Sequence, residues 1–229
     1  MHQESIGKSD FTYKLVDSSE VLEEVFRLRY QVYCVECKFI KEEQYSEEKE
    51  QDKYDSHAVH FVAQDKYGVI GAARMILNSP LGFPLEEHCQ GESGYEKQKI
   101  PREKLAEISR LVISKDYRRR REDGMYYTPE FDEKVDAIKP SPFRRIRSMT
   151  FGIYREIYQE SKRRGITHWY ALMETALWML LDMNGFRFKP IGPDIEFFGT
   201  VKPYIGCIKE IEDSFSKKYP QFFEKFFLS

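Results

Sequence analysis

At 229 residues the chain is long enough for one sizeable core but short for two, and 41% hydrophobic residues with 17 Phe, 15 Tyr and 2 Trp exclude an intrinsically disordered protein. Basic and acidic residues nearly cancel, for a formal net charge of −2, which removes any global electrostatic reason to bind nucleic acid or an anionic lipid surface. No apolar run reaches the about 18 residues needed to span a bilayer, MHQESIGKSD lacks the pattern of a signal peptide, and 4 cysteines are too few for a disulfide scaffold, so a cytoplasmic, reducing location is expected.

FTYKLV at 11–16 has strand composition, and Asp17-Ser-Ser-Glu20 then offers a helix cap with an acid three residues on. A helix over about 19–33 follows, with Val21, Val25, Leu28 and Val32 on one stripe and Leu22, Phe26, Arg29 and Tyr33 on the next, so Arg29 is a cation at the edge of a buried face. The polar stretch 41–55 reads as an exposed or site-forming loop. His57 to Gln64 and Val69 to Leu77 flank Asp65-Lys-Tyr-Gly68 as an antiparallel hairpin. Leu105 to Ser114 is a further strand, set between long connections at about 78–103 and 116–142, the second carrying Arg118, Arg119, Arg120 and Arg121.

A long helix is predicted over 143–164 and stops at Gly165, with Phe143, Ile146, Met149, Ile153 and Ile157 at helical spacing. Ile166 to Met173 reads as a strand and Glu174 to Asn184 as a short apolar helix. Phe186 to Lys189, Ile195 to Phe198 and Tyr204 to Ile208 read as short strands, and an amphipathic helix closes the chain. This order predicts one α/β domain over 1–229, a mixed sheet covered by helices, with the two connections as insertions.

Four charges break the apolar pattern. Arg74 sits in Val69-Ile-Gly-Ala-Ala-Arg-Met-Ile-Leu77, and Glu107 and Arg110 sit in Leu105-Ala-Glu-Ile-Ser-Arg-Leu-Val-Ile113, each strand otherwise of core type. Each such charge needs a partner, and a regular strand would put Glu107 and Arg110 on opposite faces unless a β-bulge intervenes. Together with Arg29 they point to a polar site assembled in the sheet interior, for which Glu50-Gln-Asp52-Lys-Tyr-Asp55 supplies the acids. Cys34-x-x-Cys37 with His57-x-x-His60 is a poor zinc site, because the histidines are too close and fall on opposite faces of a strand, and the cysteine pair lacks a redox βαβ context. His168 reads as a satisfied core histidine.

Arg29, Glu50-x-Asp52-x-Tyr-Asp55, Gly-x-x-Arg74 and Glu107-x-Ser109-Arg110 resemble, in order and spacing, the acyl-homoserine-lactone (autoinducer) synthases. Arg29-Tyr-Gln-Val-Tyr-Cys34, Glu50-Gln-Asp-x-Tyr-Asp55, Ala106-Glu-Ile-Ser-Arg-Leu111, Ile157 to Tyr170, Pro190-Ile-Gly-Pro193 and Gly199 to Tyr204 resemble more closely the acyltransferases of the PEP-CTERM exosortase system, over nearly the whole chain. Both groups, with the related N-acyl amino acid synthases, have the GNAT acyltransferase fold. The resemblance implies a sheet splayed between its fourth strand, Leu105 to Ser114, and its fifth, Ile166 to Met173, with the acyl thioester in the gap and no permanently bound cofactor.

Aminolysis of a thioester needs a neutral amine, donors for the oxyanion and a dry slot for the acyl chain. Glu50 or Glu107 is the candidate base. Asp52, Asp55 and Ser109 complete the polar set, while Arg29, Arg74 and Arg110 hold the carboxylates or bind an acceptor carboxylate. A backbone N–H at a fourth-strand bulge serves the oxyanion, and Trp169, Ala171 and Phe186 are candidates for the slot. The compact glycine turn that cradles the CoA pyrophosphate is missing after the fourth strand, and Arg118 to Arg121 stand there, which favours acyl carrier protein over CoA as the donor. An acyl-homoserine-lactone synthase using S-adenosylmethionine and a non-catalytic GNAT-fold binding module are the alternatives.

Overall fold

The computed structural model describes residues 11–89, 99–118, 142–224 and 227. Strand β1 (Thr12–Leu15) leads into α1 (Ser19–Tyr30), whose cap is Ser18 and not Asp17: the Ser18 hydroxyl accepts from the Val21 N–H at 3.3 Å. The helix does not stop at Tyr30 but widens into a π-helical turn over Gln31–Glu36, closed by the Cys37 N–H on the Val32 carbonyl at 2.9 Å. Such widened turns are frequent at functional sites.

Strands β2 (Ala58–Asp65) and β3 (Gly68–Leu77) form the expected hairpin, joined by Lys66 and Tyr67, with the Asp65 carboxylate accepting from the Tyr67 N–H at 2.7 Å. The connection after β3 is less irregular than its composition suggests, since it carries the short helix α2 (Pro84–His88). Strand β4 (Leu105–Ile113) pairs antiparallel with β3 and is followed by α3 (Lys115–Arg118). After α4 (Pro142–Arg164) come β5 (His168–Met173) and α5 (Thr175–Met183), then β6 (Lys189–Pro190), β7 (Ile195–Glu196), β8 (Thr200–Cys207), α6 (Ile208–Lys218) and α7 (Pro220–Phe223). The strand expected at Phe186 to Lys189 is thus reduced to its last residue and Pro190, because Phe186 and Phe188 turn into the core instead.

The sheet order is β1-β2-β3-β4-β5-β8-β6, with β7 against β8. Helix α1 covers one face, packing Val25, Phe26 and Val32 on Val62, Ala72 and Val112. Helix α4 covers the other, packing Met149, Ile153 and Ile157 on Phe61, Ala63, Ala73 and Met75. Each of these large apolar side chains, once buried, stabilises the fold by about 1.5–3 kcal/mol. The approach of α4 to β1 is set by Gly152, where a Cβ would overlap the Tyr13 ring. Alanine is the better helix former by about 1 kcal/mol, yet overpacking costs about 1–3 kcal/mol. Gly152→Ala is therefore expected to lower the urea midpoint, and adding Tyr13→Ala should relieve it; an unchanged midpoint would contradict the packing.

Strands β4 and β5 run parallel and pair only through Leu105 with His168, Ala106 with Trp169 and Glu107 with Tyr170. Beyond those pairs they separate, which is the splay expected between the fourth and fifth strands. Along β3 and β4 the register slips between Ala72 and Arg74, so that Ser109 faces Arg74 while Val112 faces Ala72. The extra residue in β4 makes a bulge, and Arg110 takes a left-handed φ of 54° there. Glu107, Ser109, Arg110 and Val112 consequently share the α1 side of the sheet.

Candidate active site

The charged residues singled out above converge where α1, β3 and the bulge of β4 meet the loop 50–55. That loop is tied to α1 by the Glu50 N–H on the Phe26 carbonyl at 3.0 Å, and it is turned by the Tyr54 N–H on the Asp52 carboxylate at 2.9 Å. Arg29, 0% exposed, donates from Nε to Glu50 Oε2 at 2.5 Å and forks onto Asp55 at 2.7 and 3.2 Å. Arg74 donates from Nη1 to Asp52 at 2.6 Å and Asp55 at 2.9 Å, and from Nε to the Ser109 hydroxyl at 3.1 Å. Arg110 reaches Glu50 at 3.0 Å and Asp52 at 3.2 Å and lies over the rings of Tyr33 and Phe198, each centroid 5.5 Å away.

Three guanidinium groups and three carboxylates thus form one charge-balanced network, with the side chains of Arg29, Glu50, Arg74 and Asp55 buried and those of Asp52 and Arg110 half-buried, in which each acid touches two arginines. Burial pushes the Glu50, Asp52 and Asp55 carboxyls up, but the arginines outweigh it and hold all three below their ordinary values. His60, which faces Arg74 across β2 and β3 and stands 3.6 Å from Asp55, is kept neutral by the same burial, its pKa pushed down to about 4.

Glu107 stands apart from that network. It is 1% exposed, and its Oε2 accepts the Leu85 N–H of α2 at 2.9 Å. Burial drives its carboxyl up to about 7, only partly countered by that N–H and by the charges of Arg74 and Arg110. Of the carboxylates in this region it is the one whose proton affinity matches neutral pH.

A cavity of about 730 Å³ opens at the fork between β4 and β5. Asp52, Arg74, Glu107, Ser109 and Arg110 face it on one side, and Tyr154, Ala171, Met173, Leu177, Phe188 and Val201 line its apolar remainder. Ala171 is therefore in the slot, but Trp169 and Phe186 are not: both are 0% exposed in the core, Trp169 because it sits where β4 and β5 are still paired. The mouth is ringed by Tyr33, Phe39, Phe197 and Phe198, and Phe198 stacks on the first two at 6.3 and 6.1 Å. His168 lies half-buried at the start of β5 with Nδ1 2.8 Å from the Thr167 hydroxyl, not in the core. No group of three metal-ligating side chains occurs among the described residues. Arg119 to Arg121 lie outside the described residues, and Arg118 is the last residue of α3.

Residues 28–128 match the family model described as an acetyltransferase (GNAT) domain. With its open, splayed sheet flanked by helices, the chain has a GNAT-like fold. Its fold is similar to that of the acyl-homoserine-lactone synthase LasI, at 16% identity and a TM-score of 0.60 over 86% of this chain and 90% of that one. It is similar to the CoA-dependent acyl-homoserine lactone synthase BjaI, solved with SAM and isopentyl-CoA, at 17% identity and 0.61 over 91% and 89%. It is also similar to FeeM, an N-acyl amino acid synthase from uncultured soil microbes, at 12% identity and 0.60 over 91% and 98%. No curated protein matches the chain at a significant level. Two features of the site carry no mark in the sequence, the Leu85 N–H that holds Glu107 and the aromatic mouth, and His60, weighed there only as a metal ligand, is instead a neutral buried neighbour of the network. No helix among the described residues is long and apolar enough to cross a membrane.

Proposed function

We propose that the chain is an N-acyltransferase that moves a fatty acyl group from acyl carrier protein to the amine of an amino-acid-type acceptor. The observation that carries this reading is Glu107, a fully buried carboxyl with a pKa near 7 at the junction of a charged chamber and an apolar slot. In the reaction the acceptor nitrogen attacks the thioester carbonyl carbon and the carbonyl oxygen becomes an oxyanion. Glu107 takes the proton that the nitrogen sheds. The C–S bond then breaks, and the thiol leaves with a proton. Backbone N–H groups at the β4 bulge, around Arg110 and Leu111, are the candidates for oxyanion donors. Glu50, held by Arg29 and Arg110, fits a positioning role better than that of base, since its lowered pKa leaves it little appetite for a proton.

The second reading, an acyl-homoserine-lactone synthase with S-adenosylmethionine as acceptor, is favoured by the charge balance. The three arginines are spent on three acids and Glu107 adds to the negative side, so a cationic acceptor suits the chamber. Mass spectrometry of products from acyl-carrier and acyl-CoA donors with amino acids or S-adenosylmethionine separates the two readings. No product from any pair would favour a non-catalytic module. The link to an exosortase system rests on the sequence resemblance alone.

The carrier-protein donor has its own expected result. Reversing the charges of Arg118 to Arg121 should raise KM for acyl-carrier protein in a salt-sensitive way, because exposed charges are screened over about 8 Å at physiological ionic strength. Transfer from acyl-pantetheine should change little. Unchanged kinetics at low salt would remove the basic segment from donor docking.

A further inference from the structure

Tyr154 lies in the middle of α4, 4% exposed, its ring 5.4 Å from that of Phe186. Two other buried tyrosines spend their hydroxyls within the protein: Tyr158, one turn on, donates to Glu212 at 2.7 Å, and Tyr54 donates to Glu87 at 2.7 Å. The Tyr154 hydroxyl has no such partner among the described residues. Nor is it sealed in the packing as an unsatisfied atom, in the way that the Arg155 Nε is. It opens into the slot, where its neighbours Ala171, Met173, Leu177 and Phe188 are apolar. A hydroxyl kept in such surroundings without a bond is a cost that phenylalanine would not carry.

The placement adds direction. Glu107, Ser109 and Arg110 face the α1 side of the sheet, whereas Tyr154 packs with Ile108, Met75 and Ala73 on the α4 side. A chain whose thioester lies at Glu107 must pass through the fork before it meets Tyr154. We propose that Tyr154 is a specificity residue that reads an oxygen on the acyl chain, a hydroxyl or keto group on the part beyond the fork. This rests on the acyl-slot reading of the cavity given under Proposed function.

Calorimetric titration with free fatty acids tests the inference without turnover. The wild type should bind a dodecanoate hydroxylated near mid-chain about tenfold more tightly than plain dodecanoate, since one net hydrogen bond is worth about 1 kcal/mol or slightly more. Tyr154→Phe should erase that preference, bind plain dodecanoate as well or better, and melt no lower than the wild type. Equal affinities in the wild type, a preference that survives in Tyr154→Phe, a stronger preference for a hydroxyl next to the carboxyl, or no fatty-acid binding at all would each overturn it. If the preference is found but no donor and amine pair gives product, the acyl-transfer reading fails and the role of Tyr154 in the slot stands.

Discussion

Replacing Glu107 by Gln is expected to lower kcat by about 10²–10⁴, the usual worth of a positioned general base, while leaving the chain folded. The amide oxygen of Gln can still accept the Leu85 N–H. In the wild type, kcat/KM should rise with pH and level off above about 7, where Glu107 loses its proton; Glu107→Gln should lack that inflection. Stability should move the opposite way. The folded chain binds the Glu107 proton more tightly than the unfolded one, so the advantage is complete below the ordinary value of 4.5 and is lost as pH rises through about 7. At about 1.4 kcal/mol per pH unit, ionising this buried carboxyl costs roughly 3 kcal/mol, which Gln avoids. The variant should therefore match the wild type near pH 4.5 and melt higher near pH 8. Full activity of Glu107→Gln, or a wild-type profile flat through pH 7, would reassign the base.

Arg29→Ala should be among the most destabilising single changes in the molecule, costing about 3–5 kcal/mol because Glu50 and Asp55 are left buried without their shared cation. At about 2–4 °C per kcal/mol for a chain of this size, the melting temperature should fall by roughly 10 °C. Arg29→Lys keeps the charge but not the fork, and should recover only part of the loss. Adding Glu50→Gln and Asp55→Asn to Arg29→Met should recover more, since no ion then lacks a partner. A loss below about 1 kcal/mol for Arg29→Ala would mean that water reaches the acids and the network is not dry. The lowered carboxyls of Glu50, Asp52 and Asp55 stabilise the fold above their ordinary values, and that contribution is lost as pH falls through their lower folded values. Neutral His60 acts in the same sense, its contribution fading from about 6.5 down to about 4.

Much of this architecture is legible in the chain because burial leaves periodic marks. Helix α1, the β2–β3 hairpin, β4 and α4 each announce themselves through apolar spacing, and Arg74 and Arg110 stand out because a cation in a core strand must be answered by an acid. The spacing of Glu107 and Arg110 leaves the bulge open as one of two outcomes, and the structure takes it. What stayed hidden depends on which groups meet in space. Glu50 and Glu107 look alike in sequence and differ only in their surroundings, one gripped by two guanidinium groups and the other by a single backbone N–H. That N–H comes from a five-residue helix in a proline-rich connection, where no side chain betrays it. Nothing in the sequence sets Tyr154 apart from the other aromatics of α4, and Trp169 reads as a slot residue because nothing local says where two strands part company.

The fork between β4 and β5 ties grip to delay. On the proposed reading, with the reacting groups at its entrance and apolar side chains beyond, a fatty chain would go in tail first and come out tail last. Each methylene held inside adds about 0.8 kcal/mol of attraction, and the same increment must be given back before the amide product can leave. A deeper slot would select longer chains and empty more slowly, so chain preference and turnover number are two readings of one depth.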